Sequence, residues 1–217
     1  ARISKYDFTD IEIYQYPNDA DTGVGGTLRY HNGYIYVQSQ TGYTNLKVTK
    51  INASDLSDYS IVITGTSGLI GAAGTLEIYK NQIITTTGYL ASGILLVKYT
   101  LDGQLVDSNT IIPPTGVKEY DFNVPHASTI KDNHLYITQI YSFTDVLKID
   151  ADTLQLVDSL VISPTLNTYV TDDIAIGKDG FLYAASETVS TVPTGSATPA
   201  RLYKIDTTDL SFTEVFT

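Results

Sequence analysis

The chain has 217 residues, 42% of them hydrophobic, which is enough to bury a sizeable core and makes a folded globular protein the expectation. Its 24 acidic and 13 basic residues give a formal net charge of −11, a surface that repels phosphate backbones and argues against nucleic acid as a partner. Cysteine is absent, which removes disulfides, zinc-thiolate sites and thiol catalysis, and no stretch approaches the roughly 18 consecutive apolar residues of a membrane helix.

Seventeen Tyr and no Trp, with abundant Thr, Val and Ile, favour strands, and no segment keeps a helical period over several turns. Methionine is also absent and the first residue is Ala1. That predicts a removed N-terminal segment or a longer parent chain; a cleaved secretory signal fits, and with it an extracellular or cell-surface location.

Taken in order, Ile3 to Asp7 reads as the third strand of a sheet and Asp10 to Tyr14 as its fourth, so strands within residues 3–15 form a half-blade. The loop that follows, Asn18-Asp19-Ala20-Asp21-Thr22-Gly23, has the alternating carboxylates and glycine of a calcium loop but lacks its distal glutamate. Asp19 and Asp21 are therefore the candidate Ca²⁺ ligands, with solvated turn acids as the plainer reading. The next unit spans about 26–63, with Asn32-Gly33 as a hairpin turn and Asn52-Ala53-Ser54 as a glycosylation sequon of the kind that often arises by coincidence. A third segment spans about 74–112. Its glycine-rich approach, Gly65 to Gly74, lacks the lysine of a phosphate-binding loop and leads into a strand, so it reads as a connector.

The stretch over 125–162 is the clearest unit. Ala127 to Ile130, the turn Lys131-Asp132-Asn133, His134 to Ile140, Val146 to Ile149, the turn Asp150 to Thr153, and Leu156 to Ile162 make a four-stranded antiparallel meander. A last unit covers 172–217, interrupted by the polar insertion Ser190 to Pro199.

Two columns tie these units together. Tyr36, Ile84, Tyr136 and Tyr183 recur at spacings of 48, 52 and 47 residues, and Lys50, Lys98, Lys148 and Lys204 at 48, 50 and 56. Periods of this length belong to propeller repeats. The fold expected is all-β: a β-propeller of four-stranded antiparallel blades, about four of them plus the N-terminal half-blade, in one domain or part of one.

The runs DNHLYIT with VLKIDADTLQLVDSLVI, and DGFLYAAS with LYKIDTTDLSFTEV, resemble the YVTN-type repeats of bacterial and archaeal propeller proteins. The resemblance implies a propeller that is often exported or surface-associated. Related families include lactonases, lyases, quinoprotein subunits and many binding proteins, and such propellers commonly close with seven blades.

Propellers carry function on the rim where the inner strands begin. Ten residues before each anchor lie Gly26, Gly74, His126 and Asp173, which predicts that His126 and Asp173 sit side by side at the channel mouth. Asp121 and Asp172 join them from the connecting loops as candidate ligand-binding residues, with Glu119 nearby. Two functions are expected from this set. The favoured one is a non-catalytic extracellular or surface module that holds a protein or glycan partner, or associates with itself through blade faces and strand edges. The other is a metal-assisted lactonase or lyase in which His126 and Asp173 are catalytic. A Ser-His-Asp triad would need His126, Asp173 and an inward serine such as Ser128, and no nucleophile-elbow motif marks that serine.

If Asp19 and Asp21 hold Ca²⁺, thermal melts with Ca²⁺ and with chelator should differ, since a ligand selective for the native state raises its melting temperature. Coincident melting curves would eliminate the site.

Overall fold

The computed structural model describes residues 2–3, 11–12, 22–23, 27–41, 45–66, 74–88, 93–112, 124–140, 145–162, 171–186 and 200–216. Among these there is no helix, and four antiparallel sheets follow one another along the chain, each running in sequence order from an inner strand to an outer one. This is a β-propeller architecture.

At the N-terminus β1 (Arg2–Ile3) and β2 (Ile11–Glu12) form a separate two-stranded ladder, with Ile3 opposite Ile11. Blade one contains β3 (Thr22–Gly23), β4 (Leu28–His31), β5 (Tyr34–Thr41), β6 (Asn45–Asn52) and β7 (Tyr59–Thr66). Both β3 and β4 pair with β5, so they are two pieces of one interrupted inner strand. Blade two is β8 (Leu76–Tyr79), β9 (Gln82–Gly88), β10 (Ile94–Thr100) and β11 (Leu105–Ile111). Blade three is β12 (Val124–Lys131), β13 (His134–Ile140), β14 (Val146–Asp150) and β15 (Leu156–Leu160), and blade four is β16 (Thr171–Ile176), β17 (Leu182–Ser186), β18 (Arg201–Ile205) and β19 (Phe212–Phe216).

Turn chemistry sets the register. In the first hairpin of blades one to three both central residues take left-handed backbone: Asn32 and Gly33 at φ 48° and 83°, Lys80 and Asn81 at 48° and 60°, Asp132 and Asn133 at 48° and 62°. Such primed turns match the twist of the strands they join, which is why two-residue loops suffice here. Blade four uses a longer turn through Gly177 to Gly180.

Alternation along the strands puts apolar side chains on both faces of each central blade, and these meet between blades. Tyr36, Val48 and Ile63 of blade one pack on Leu76 and Ile83 of blade two. The opposite face of blade two supplies Ile84, Ile94 and Leu96, which pack against Leu135, Ile137, Leu147 and Ile149 of blade three. Tyr136 and Val146 then meet Ile174, Leu182, Ala184 and Ile205 of blade four.

The outer turns close the core from the rim. Asp150 Oδ1 accepts the amides of Asp152 and Thr153 at 2.9 and 2.7 Å, and the chain returns through Leu154 at φ 58°, whose amide donates to Asp150 O at 2.8 Å. Blade four repeats the turn with Asp206, Thr208 and Leu210, the last at φ 56°. Left-handed backbone is costly for leucine, yet it points both side chains into the core, where Leu154 is fully buried. Burial outweighs the backbone cost. Leu154→Ala should therefore lower stability by about 2–5 kcal/mol in urea unfolding; a loss under about 1 kcal/mol would contradict this packing.

Blade four also contains an exposed charge pair. Lys204 Nζ meets Asp179 Oδ2 at 2.8 Å, and the Tyr183 hydroxyl donates to the same oxygen at 2.8 Å. These bonds, the lysine's first, hold the Asp179 carboxyl down at about 2. A depressed carboxyl stabilises the fold above its unfolded value near 4 and loses that contribution as the pH falls towards 2. The melting-temperature gap between the wild type and Asp179→Asn should accordingly be present at pH 6 and shrink as the pH falls through about 2; a gap that persists unchanged would assign it to another cause.

Candidate active site at the propeller axis

Inner strands β4, β8, β12 and β16 bring polar groups together: Arg29, Glu77, His126 with Ser128, and Asp173. Arg29 on β4 reaches across to blades two and three: its Nε and Nη2 donate to the two carboxylate oxygens of Glu77 at 2.8 and 2.5 Å, and Nη2 also donates to Ser128 O at 2.9 Å. The Ser128 hydroxyl donates to Glu77 Oε1 at 2.8 Å. Three blades are thereby tied by one carboxylate and one guanidinium. Glu77 is buried, and the fork geometry satisfies both of its oxygens, which is what allows a carboxylate to leave water. The hydrogen bond to Glu77, working against burial, keeps the Arg29 guanidinium even more basic than usual, with further support from the Glu77 and Asp173 charges.

Next to this knot lies an open cavity of about 560 Å³. Blade one contributes Thr27 and Arg29 to its wall, β12 contributes His126 to Thr129, and β16 contributes Asp173 to Ile176. His126 and Asp173 thus line the same cavity. Asp173 Oδ1 accepts the amide of Ile174 at 2.8 Å, and its side chain is exposed to the cavity, as is that of His126.

Strand irregularities aim these residues. The register of β12 slips between Pro125 and Ser128, so His126 falls within a bulge, and β16 slips between Thr171 and Asp173. Blade two makes its own adjustment at the same level: a Cβ on Gly74 would lie 1.4 Å from Thr86 O, so only glycine lets these backbones approach. Bulges bend a strand and redirect its side chains, and they concentrate at functional ends of sheets.

Asp19, Asp21 and Asp121 lie outside the described residues, and of Asp172 only the backbone, within β16, is described. Among the described residues no group of three His, Cys, Asp or Glu side chains could hold a metal ion. His31, beside the first hairpin turn, meets Asn81 Oδ1 of blade two at 2.8 Å.

The sequence reading missed Arg29 and Glu77, although the signal was present. Arg29 pairs with Tyr36, Glu77 with Ile84 and Thr129 with Tyr136, each seven residues before the anchor column. Counting back seven residues instead of ten would have exposed an arginine and a glutamate at equivalent positions of adjacent blades.

The propeller has solved counterparts. At 13% identity and a TM-score of 0.59, 91% of the chain superposes on 53% of a glycoside hydrolase family 43 arabinoxylan arabinofuranohydrolase from Bacillus subtilis, solved in complex with cellotetraose. An α-L-arabinofuranosidase of family 43 from Clostridium thermocellum matches at 12% identity and a TM-score of 0.57, over 88% of this chain and 71% of that one. The family 43 protein BlXynB from Bacillus licheniformis matches at 11% and 0.57, over 92% of this chain and 43% of that one. The chain thus spans about half the length of two of these three proteins, and all three are five-bladed propellers. No family model and no curated protein matches the sequence.

Two expectations change. The propeller stands, but the resemblance to YVTN-type repeats is not matched by any family model, and the solved counterparts have five blades where seven is common for the families it suggested. The expectation of a non-catalytic binding module, with a metal-assisted lactonase or lyase as its alternative, is overturned by the solved counterparts, which are named as glycoside hydrolases. The physical reason is that repeats and loop acids, the basis of that expectation, determine blades and surface charge but say nothing of the chemistry assembled at the axis.

Proposed function

We propose that the protein is a glycan-active enzyme that hydrolyses a glycosidic bond in the axial cavity. The observation that carries this reading is the convergence of Asp173 and His126 on one open cavity whose floor is fixed by the Arg29–Glu77–Ser128 knot. The likeness to arabinofuranosidases and an arabinoxylan arabinofuranohydrolase supports a carbohydrate substrate.

Glycoside hydrolysis requires an acid to protonate the leaving oxygen and a base to draw a proton from water, conventionally two carboxyl groups. Asp173 is the described carboxylate that opens onto the cavity, and we assign it the base. Glu77 is unsuited to the acid role, because both of its oxygens are engaged by Arg29 and Ser128 and it does not line the cavity. His126, on the neighbouring inner strand, is the described titratable group left to act as the acid. An extracellular site of action accompanies this reading where the substrate is a polymer too large to enter a cell.

The test is release of reducing ends from arabinoxylan, xylan and cello-oligosaccharides by the purified chain. Activity on at least one is expected, with Asp173→Asn lowering kcat about 100-fold or more at unchanged melting temperature. Full activity in Asp173→Asn would remove it from the mechanism, and inactivity of the wild type on every glycan would sink the reading.

A further inference from the structure

The state of Arg29 limits what the cavity can hold. A guanidinium has five N–H donors, and an anion is normally gripped by two of them acting as a fork. In Arg29 the Nε–H goes to Glu77, both Nη2 protons to Glu77 and the Ser128 carbonyl, and one Nη1 proton to Leu28 O at 2.8 Å. Four of five donors are committed, so no free fork remains. The Glu77 carboxylate also cancels the charge, and the Ser128 hydroxyl at 2.8 Å prevents it from swinging aside. Among the described residues the carboxylate left on the cavity wall is the exposed Asp173, on a protein whose formal net charge is −11 with histidine counted as neutral.

We propose that the Glu77 clamp on Arg29 makes the axial cavity selective for uncharged sugar residues and excludes uronic acids. This rests on the glycan reading of the cavity and adds the substrate class to it. An arginine at a sugar site would ordinarily suggest a carboxylated ligand. Here the arginine is a structural tie, and the group it would have bound is already supplied by the protein.

Calorimetric titration of the purified chain at pH 8 and low ionic strength, with cellotetraose, xylotetraose and tetragalacturonate, tests the proposal. At least one neutral tetrasaccharide should bind ten-fold or more tightly than tetragalacturonate, and added salt should narrow the gap, because screening weakens repulsion. Asp173→Asn, which leaves the clamp intact, should also narrow it. Glu77→Gln uncovers the guanidinium and should bind tetragalacturonate at least ten-fold more tightly than the wild type does. Equal or tighter binding of tetragalacturonate by the wild type overturns the proposal. Should none of the three sugars bind the wild type while a folded Glu77→Gln gains affinity for tetragalacturonate, the clamp stands and the glycan reading falls.

Discussion

The blades are kept in order by a lysine that crosses from the third strand of one to the outer turn of the next. Lys98 of blade two donates to Asp152 O of blade three at 2.7 Å, and Lys148 of blade three donates to Thr207 O of blade four at 2.7 Å and Thr208 O at 3.3 Å. Both lysines are buried, at 4% and 8% exposure. An ammonium taken from water must find acceptors or lose its charge, and the carbonyls at the end of a tight turn are the acceptors available between two apolar faces. Blade one makes a looser version, with Lys50 Nζ 3.5 Å from Asp102 Oδ1 and 4.5 Å from the centre of the Tyr34 ring. The contact has a geometric consequence, since the turn must arrive at one height on every blade. Turn length and strand length are therefore not free to drift.

That constraint explains why the fold was legible in the sequence. At Lys98 and Lys148 the partner is main chain, so these positions demand only a turn of the right shape, and the turn residues of Asp150 to Leu154 and Asp206 to Leu210 recur with them. Tyr136 belongs to the same system, its hydroxyl donating to Thr207 O at 3.3 Å. Asn-Gly and Asp-Asn turns completed the pattern, because left-handed backbone at two successive positions leaves a compositional trace.

The site was only half legible, for a related reason. His126 and Asp173 were found because they sit at one height in adjacent repeats, whereas the Arg29–Glu77 pair combines opposite chemistries at equivalent positions and so leaves no repeated letter to notice. Bulges in β12 and β16 compound the difficulty. A one-residue slip changes which side chain faces the axis, and nothing in a period of about fifty residues reports it.

The axial knot and the lysine crossings divide the work of holding the propeller between centre and rim. At the rim Lys98 and Lys148 need only carbonyls, and their loss would leave neutral acceptors. At the centre the pairing is between full charges, and removing Arg29 strands a carboxylate that is only 6% exposed. Breaking such a pair generally costs about 3–5 kcal/mol even where the intact pair contributes little net stability. A propeller interior filled with aliphatic side chains would avoid that risk, but it would close the space where the inner strands meet. Because Arg29 spans from blade one to Ser128 on blade three, it braces the inner strands across the axis while the cavity beside it stays open and polar. The knot is in this sense the condition for having a cavity at all, and the exposed Asp173 is the group that this arrangement leaves free to act.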